Sequence, residues 1–578
     1  MIRIVLCFMV LSAMFSKSSL AQSTPETSGS SAAEFNKLVD DYFNEYFKFH
    51  PSEGTAAGFH QYDNQLEDPS QESMKAEIAS IKQLQARFDA VPAQDLPPEV
   101  AADLELVKSD MNARLLRLQE IRQWEKNPDL YSSGLSESVY VIMSRNYAPQ
   151  PERLQSVIAR EKQMGRVFAA ARKNLKDPPR VYTGIALEQL PGIIGFFQKD
   201  VPEAFNEVKD PKLLAEFKAS NGAVIEELKR YENFVKADLL PISKGDFRIG
   251  AENYRKKLLY EEMVDIPLDR LLQIGYDDLH RNQQAFKEVA GKIDPKRTPQ
   301  QILEELEKDH PAPNQLLQTF RGTLGGLKSY IETHHIVTIP SPEPPIVQET
   351  PPFARALTFA SMDTPGPYEK KAKEAYFNVT LPEANWPKQK VQSWMEGFNR
   401  GTITSTAIHE VYPGHYVQFL WLYEAPSKVR KLIGSGSNAE GWAHYCEQMM
   451  LDEGYGNNDP KLRMGQLQDA LLRDVRFIAG IEMHTGKMTV QQATDMFVKE
   501  GYQTQAVAER EALRGTSDPT YLVYTLGKLE ILKLRADYKQ KMGDKFNLEQ
   551  FHDDFLKQGF PPVKIIRKLM LGNDSPVL

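Results

Sequence analysis

The stretch TITSTAIHEVYPGHYVQFLWL, residues 402–422, joins two apolar runs of helical character across a short polar and helix-breaking segment. The first run ends at His409 and Glu410, and the second begins at His415, directly after a Pro-Gly pair. Burying two imidazoles and a carboxylate in such an apolar segment is unfavourable unless they are paired or bound to a metal ion. The stretch therefore predicts a helical core that carries a polar site.

The spacing of the two histidines departs from the H-E-x-x-H pattern, in which two histidines one helical turn apart bind zinc and the Glu is the general base. His409 and His415 are six residues apart, which places them roughly 120° apart around a straight helix. They cannot both bind one ion from an undistorted helix. Because Pro413 removes a helical hydrogen bond and Gly414 permits unusual dihedral angles, we predict a broken turn that returns His415 to His409.

A second helix is predicted over residues 439–450, AEGWAHYCEQMM, with Glu440, His444 and Glu447 on one face. A Glu from a following helix is the usual third ligand when two histidines come from the first. Glu440 is therefore the predicted third ligand, with Zn2+ as the cofactor. Glu447 is a candidate for orienting a ligand histidine and His444 for contacting substrate, although a polar face that only meets solvent explains the same pattern.

Most of the remaining chain has the apolar periodicity of amphipathic helices. Helices are predicted over 33–50, 70–125, 150–175, 204–236, 266–292, 298–334 and from 388 nearly to the C-terminus. Six prolines exclude a regular helix over 337–353, while residues 356–360 and 375–380 are typical of short strands. We expect a mainly α fold, with a helical part over 35–336 and a strand-bearing insert plus helical metal-site part over 337–578.

Residues 1–21 have the composition of a secretory signal peptide, with a basic start, an apolar run over 4–15 and small residues before Gln22. We expect cleavage after Ala21, a flexible leader over 22–34, and a periplasmic or secreted mature protein. No Cys follows the apolar run, so a lipid anchor at that point is not expected. Cys446 would then be the single cysteine of the mature chain, which excludes an intramolecular disulfide.

The charge and hydropathy of the chain exclude two classes of partner. Cleavage would remove Arg3 and Lys17 and change the formal net charge from −8 to −10. A mildly acidic protein gives no support to a nucleic-acid or anionic-membrane surface. No segment reaches the about 20 apolar residues that span a bilayer, so no stable membrane insertion is expected after cleavage.

These residues together resemble the bacterial domain-of-unknown-function family 885 (DUF885), which is similar to gluzincin-type zinc peptidases. The family's marks H-E-x-x-P-G-H and E-G-W-A-x-Y stand here at 409–415 and 440–445. Its other segments match Gly58-Phe59-His60, Tyr62-Asp63, Pro352-Phe353-Ala354-Arg355, Arg476 with His484, Glu511 with Arg514, and Tyr524 with Gly527. The resemblance covers nearly the whole mature chain, as one unit over about 35–575.

The resemblance implies a large multi-helix gluzincin-like architecture with a small β-sheet beside the active-site cleft. The strand at 375–380 would pair there with an extended peptide substrate, although core burial explains its apolar residues equally well. The implied activity is that of a zinc metallopeptidase, with His409, His415 and Glu440 binding zinc. Glu410 would take the proton of the zinc-bound water as it attacks a carbonyl.

The remaining family positions imply groups around the reacting carbonyl. Tyr524, and after it His484, are the candidates for stabilising the oxyanion. Arg514 and Arg476 are the candidates for holding a substrate carboxylate with two hydrogen bonds. Each of these side chains also has a purely structural explanation, as a core residue or in an ion pair.

The chain departs from the family pattern near these positions. Gly480 and Glu482 replace an Asp and a Gly, Gly515 replaces a Tyr, and residues 518–521 (DPTY) replace Pro-Gly-Gln-Ala. These changes leave the metal-site motifs intact and leave open the substrate, the position of cleavage and the oligomeric state. Two alternatives remain: a zinc amidase acting on a non-peptide amide, and a helical binding protein without activity. The retained Glu410 argues against the second.

Overall fold

The computed structural model describes residues 25–351, 355 and 358–578. The predicted signal peptide and its cleavage site after Ala21 lie outside these residues. The first part of the chain forms helices with the following bounds: α1 Pro25–Phe49, α2 Pro51–Ala56, α3 Gln71–Asp89, α4 Pro98–Leu115, α5 Gln123–Lys126, α6 Asp129–Met143, α7 Gln150–Glu161, α8 Met164–Asn174, α9 Arg180–Gly195, α10 Val201–Ala204, α11 Pro211–Phe234, α12 Gly250–Glu261, α13 Leu268–Ile293, α14 Pro299–Leu306 and α15 Leu316–His334.

The second part contains a small sheet followed by helices. The strands are β1 Ile346–Glu349, β2 Ala360–Asp363 and β3 Tyr376–Val379. The helices are α16 Lys388–Glu396, α17 Arg400–Glu410, α18 His415–Leu422, α19 Lys428–Leu432, α20 Gly436–Asp452, α21 Pro460–His484, α22 Val490–Lys499, α23 Gln505–Ser517, α24 Val523–Met542, α25 Leu548–Leu556 and α26 Val563–Leu571. The prediction of a mainly α fold with a small sheet is confirmed.

Helix α1 begins at Pro25, inside the segment 22–34 that we predicted as a flexible leader. Phe35 is the first buried side chain from residue 31 onwards, because polar and small residues precede it. The packed part of α1 therefore begins where the predicted helical part begins. Among the residues that the structure describes, no helix is both long and apolar enough to cross a bilayer.

The sheet has the strand order β1-β3-β2, with β1 parallel and β2 antiparallel to β3. β3 corresponds to the strand predicted over 375–380, but both of its edges are paired. It therefore cannot pair with a peptide substrate, which corrects that expectation. Among the described residues, β2 has no strand partner on its outer edge, and it contacts α17. β3 instead packs its apolar side chains into the core, where the ring of Phe377 contacts that of Phe320.

The helices pack around several apolar cores. One core lies under the predicted metal site and combines α15, the sheet, α17, α18, α20 and α24–α26. A second unites α12–α14 with α21–α23, while α6–α11 and α1–α4 each form a further core. Helices α12–α15 thus pack against the C-terminal helices. The compositional division near residue 336 is therefore not a boundary in the packing.

Helices α20 and α24 approach each other at two glycines. A Cβ on Gly527 would lie 1.8 Å from the carbonyl oxygen of Ser437, and one on Gly441 would lie 2.4 Å from the Cα of Gly527. No side chain fits between two backbones at this separation. The contact explains the glycines of both motifs, and it brings Tyr524 on α24 to the helix that carries Glu440.

Candidate metal centre

The segment between α17 and α18 is folded back on the end of α17. The Gly414 N–H donates to the carbonyl of Ile408 at 3.0 Å. A Cβ at residue 414 would lie 1.8 Å from the carbonyl oxygen of His409, so only glycine fits there. The indole of Trp442 on α20 donates to the Pro413 carbonyl at 2.9 Å and holds this segment.

The predicted broken turn is therefore present, and it brings the two histidines together. The imidazole rings of His409 and His415 have centroids 4.9 Å apart and planes at 86°. Their Nε2 atoms both face Glu440 in the second turn of α20. Glu440 Oε2 is 3.4 Å from Nε2 of His409 and 3.4 Å from Nε2 of His415.

The separation of these atoms can be compared with that in a zinc site. The ligand atoms of a tetrahedral zinc ion, each about 2.0–2.1 Å from the metal, are about 3.3–3.4 Å from one another. Both nitrogen–oxygen separations match this value. The three ligand atoms all lie within 4.8 Å of one another, so one small ion can reach all three.

The electrostatics of the three residues favour a positive charge between them. Glu440 Oε2 is buried and has no hydrogen-bond partner among the described residues. Burial raises the pKa of Glu440, but the two imidazoles hold it well below its usual range. Burial lowers the pKa of His409, but the carboxylates of Glu440 and Glu447 outweigh this effect and raise it to about 10. An unpaired buried carboxylate oxygen facing two imidazoles therefore fits a metal cation.

Glu447 lies behind His409 and is completely buried. Its Oε1 accepts a hydrogen bond from His409 Nδ1 at 2.7 Å and forms an ion pair with Arg473 at 3.0 Å, and its Oε2 lies 3.0 Å from His444 Nδ1. Burial raises the pKa of Glu447, but Arg473 and the two histidines hold it far below its usual range. The ionised carboxylate fixes His409 Nδ1 as a donor, so Nε2 is the nitrogen that would bind a metal ion after the ion displaces its proton.

Glu410, the predicted general base, is the last residue of α17 and lies against β2. The N–H of Thr380 donates to the Phe359 carbonyl at 2.9 Å, so the alternation of an antiparallel pair turns the backbone groups of Ala360 and Met362 away from β3. The Met362 N–H accordingly faces the Glu410 carboxylate and helps to lower its pKa. Burial raises the pKa of Glu410 against the opposing charges of His409 and His415, which suits a group that accepts a proton.

Tyr524, the first candidate for stabilising the oxyanion, lies beside His409, with ring centroids 6.3 Å apart. Its hydroxyl oxygen accepts a hydrogen bond from Arg514 Nη2 at 3.3 Å, which leaves the hydroxyl hydrogen free to donate. Burial raises the pKa of Tyr524, so the hydroxyl is protonated at neutral pH. The structure thus brings Tyr524 to the predicted metal ligands.

The two predicted carboxylate-binding arginines differ in their surroundings. Arg476 forms a bidentate ion pair with Glu511, at 2.6 and 2.8 Å, and packs over the ring of Tyr524. Its Nε and Nη2 are therefore already engaged by Glu511. The side chain of Arg514 is 40% exposed and pairs only loosely with Asp518 at 3.3 Å, so it can reach a ligand.

His444 and His484 are both completely buried. His444 contacts Glu447, and burial lowers the pKa of His444 to about 3. His484 donates from Nε2 to the Gly515 carbonyl at 2.8 Å and contacts the ring of Phe247, and burial lowers its pKa to about 4. The structure therefore gives His444 a place behind Glu447 and His484 a place between α21 and α23, and it brings neither to an exposed surface.

Two groups of the site were not identified from the sequence. Arg473 pairs with Glu447 and lies over the ring of Tyr524. Its position three residues before Arg476 places both on one face of α21, which is a detectable pattern. The Met362 N–H leaves no trace in the sequence because it is a backbone group.

The model of the family described as "Bacterial protein of unknown function (DUF885)" matches residues 51–570. A solved structure of "a putative lipoprotein of unknown function" from Shewanella oneidensis is 28% identical, with a TM-score of 0.78 over 93% of this chain and 99% of its own. The "putative lipoprotein from Colwellia psychrerythraea" has a TM-score of 0.80 and 19% identity over 94% of this chain and 99% of its own, and it shows the shared fold alone. No curated protein matches the chain.

Proposed function

Since the chain belongs to the bacterial DUF885 family of unknown function, we propose from its own side chains that it is a zinc-dependent hydrolase that cleaves peptide bonds. The observation that carries the proposal is the convergence of His409 Nε2, His415 Nε2 and Glu440 Oε2, with the oxygen 3.4 Å from each nitrogen. Two imidazoles and one carboxylate are the protein ligands of a common class of catalytic zinc site, which keeps a further position open. A gluzincin-like relationship is part of the same proposal.

A zinc ion in this position would supply Lewis-acid polarisation of a carbonyl group and of water. The protein's own residues would then provide the proton transfers. Glu410 lies beside the trio, and the Met362 N–H faces its carboxylate. We assign Glu410 the role of accepting the proton from the attacking water and passing it to the leaving amine.

Tyr524 would stabilise the negative charge that develops on the carbonyl oxygen. Its hydroxyl accepts from Arg514 and retains a hydrogen to donate. Removing one such donor from an active site costs about 10²–10³ in rate. Arg514 itself, the exposed member of the arginine pair, would bind a carboxylate of the substrate.

The free edge of β2 supports a peptide as the substrate. The Ala360 N–H and the Met362 carbonyl point away from β3 on the side of Glu410, whereas the Ala360 carbonyl already accepts from the Thr358 hydroxyl. An extended peptide can add to such an edge by main-chain hydrogen bonds, which would bring one of its carbonyls near Glu410. This mode recognises a backbone and not a particular side chain.

We also propose that the protein is exported to the periplasm or beyond. The signal-like composition of residues 1–21 supports this location, as does the description of the Shewanella oneidensis neighbour as "a putative lipoprotein". Mass spectrometry of the mature protein isolated from the periplasm tests it. We expect an N-terminus at Gln22, and an uncleaved chain retained in the cytoplasm would contradict the proposal.

Elemental analysis tests the metal. Protein purified without added metal should contain close to one zinc per chain, and His415→Ala and Glu440→Ala should each lose most of it. The control is His335→Ala, which removes an imidazole that is 74% exposed and pairs with Glu549. Metal-free wild-type protein, or zinc retained in both ligand variants, would refute the site.

Mapping the products of a peptide library tests the reaction. Wild-type protein should cleave peptides, and Glu410→Gln should keep its zinc and lose about 10²–10⁴ in kcat. The control is Glu549→Gln. Glu549 lies on α25 and pairs at the surface with His335, so this substitution should leave kcat unchanged. Cleavage that survives Glu410→Gln at the wild-type rate would remove the proposed mechanism.

A further inference from the structure

The histidine of the early family motif, His60, bridges two carboxylates from distant parts of the chain. Its Nε2 lies 2.8 Å from Glu369 Oε2 and its Nδ1 lies 3.2 Å from Asp63 Oδ2. The ring of Tyr147 stacks on it at 3.7 Å and the Tyr147 hydroxyl donates to Asp63 at 2.7 Å. The bridge therefore joins the N-terminal helices to the segment between β2 and β3.

That segment, residues 364–375, is tightly fitted to the same motif. The Tyr368 N–H donates to the Ala57 carbonyl at 2.9 Å. A Cβ on Gly58, which has φ of +99°, would lie 2.3 Å from the backbone nitrogen of Glu369. Glu369 also organises the segment itself, because its Oε1 accepts from the Lys371 and Ala372 N–H groups at 2.7 and 3.2 Å.

The segment is directly continuous with β2, which touches the site. Asp363, the last residue of β2, forms an ion pair with Arg145, whose other nitrogen donates to the Glu374 carbonyl at 2.7 Å. Met362, one residue earlier, turns its N–H towards the Glu410 carboxylate, where β2 packs against α17. A short, continuous path therefore leads from His60 to the predicted base.

We propose that His60 is a positioning residue for Glu410: by bridging Asp63 and Glu369 it fixes residues 364–375 and, through them, β2, which packs against α17 and turns the Met362 N–H towards the Glu410 carboxylate. This inference rests on the proposed function for its effect on rate, but its effect on β2 is independent of any activity. It gives the motif G-x-H-x-Y-D a role in a site from which it is far removed in sequence.

The charged groups around His60 make the bridge dependent on pH. Asp63 and Glu369 face the imidazole, Tyr147 covers it, and Arg160 lies behind Asp63 by donating to the hydroxyl of Thr55. Burial lowers the pKa of His60, but the hydrogen bonds to Asp63 and Glu369 outweigh this and raise it. Burial raises the pKa of Glu369, but the backbone hydrogen bonds and His60 outweigh this effect, so the pKa is lowered. The ion pair is therefore complete below the ordinary histidine pKa and is lost as the pH rises through the raised value.

His50 provides a matched control. Its Nε2 lies 2.8 Å from Glu77 Oε1 and its side chain is 29% exposed, compared with 32% for His60. It pairs within the α1–α4 part of the chain and makes no contact with residues 364–375 among the hydrogen bonds and ion pairs of the described chain. His60→Ala and His50→Ala thus remove equivalent imidazole–carboxylate pairs, of which only one leads to β2.

The experiment combines hydrogen–deuterium exchange with kinetics on the full-length zinc-loaded protein. We expect His60→Ala to increase hydrogen exchange in the peptide that contains Met362. The same variant should lower kcat about tenfold or more and keep KM within twofold, because Glu410 is misplaced and not removed. His60→Gln keeps a donor toward Glu369 and should restore most of both. The wild type should lose kcat as the pH rises above the histidine range, and His60→Gln should lack this decline.

Each outcome decides the inference. Unchanged exchange at Met362 in His60→Ala, or the same changes in His50→Ala, would overturn it. Failure of His60→Gln to restore either measurement would do the same. If wild-type protein cleaves no peptide, the proposed function fails, whereas the exchange measurement still decides whether His60 fixes β2.

Discussion

Replacing Glu447 with Gln tests how the candidate metal centre is supported. The carboxylate is completely buried. One oxygen accepts from His409 Nδ1 and pairs with Arg473, while the other oxygen faces His444 Nδ1. Gln has the same shape. Its amide oxygen can take the place of Oε1, and its NH2 group can donate to His444 Nδ1 once the His444 proton moves to Nε2. That Nε2 has no hydrogen-bond partner among the described residues, so the fold should tolerate the change.

The substitution nevertheless removes the negative charge behind His409. The neutral amide oxygen is a weaker acceptor for the Nδ1–H of His409 than the carboxylate, so Nε2 becomes less basic. Arg473 also loses its ion-pair partner at 3.0 Å. Loss of such a supporting carboxylate typically weakens metal binding 10–100-fold, which corresponds to about 1.4–2.7 kcal/mol. We therefore expect the zinc Kd of Glu447→Gln to rise by this factor.

Competition with a zinc chelator of known affinity measures the Kd, and circular dichroism checks that the variant is folded. Glu511→Gln is the control, because Glu511 is a buried carboxylate paired with an arginine, Arg476, and it makes no contact with either histidine ligand. It should leave the zinc Kd within about twofold. A Kd unchanged in Glu447→Gln, or raised equally in Glu511→Gln, would refute the assigned role of Glu447.

Three further substitutions probe the site and the fold. Tyr524→Phe should keep its zinc and KM but lower kcat about 10²–10³-fold in a peptide-cleavage assay, because it removes the donor beside His409; an unchanged kcat would exclude that role. Gly527→Ala should destabilise the protein by about 1–3 kcal/mol in urea denaturation, because its Cβ would meet the Ser437 carbonyl at 1.8 Å. Gly184→Ala is the control: a Cβ there, on α9, would have no atom within 4 Å, so this substitution should stabilise the protein by about 0.5–1 kcal/mol. Burial raises the pKa of Glu161 to about 8. Between the ordinary glutamate pKa and this raised pKa, the folded state keeps a proton that the unfolded state has released. The free energy of unfolding therefore falls as the pH rises through this range. Glu161→Gln should therefore raise the denaturation midpoint more at pH 8 than at pH 5, and an equal effect at both would contradict this.

The sequence alone determined the helical character of the chain and the identity of the three candidate ligands. Local patterns carry this information, because helical periodicity, the helix-breaking Pro413-Gly414 and the carboxylate of Glu440 depend on neighbours within one or two turns. The family match over residues 51–570 agrees with the resemblance drawn from the same motifs. Even the broken turn could be anticipated, since the spacing of His409 and His415 required it.

Tertiary structure decided which of several similar residues face the site. His444 and His484 have the same chemistry as the ligand histidines, and only the packing of α20 and α21 buries them away from it. Arg476 and Arg514 look equivalent in sequence. In the structure Glu511 forms an ion pair with Arg476, whereas Arg514 remains exposed. Side-chain chemistry is local, whereas burial and partners depend on elements far apart along the chain.

The sheet shows most clearly what only the tertiary structure decided. The sequence predicted short strands near residues 360 and 376, but it gave no order, so it assigned the substrate edge to the strand that lies in the centre. Strand order depends on pairing between segments separated by a proline-rich connection and by residues 364–375. The same long-range packing directs the Met362 N–H to Glu410 and joins His60 to Glu369. The sequence thus identifies the groups of the candidate site, and tertiary packing determines how they are oriented.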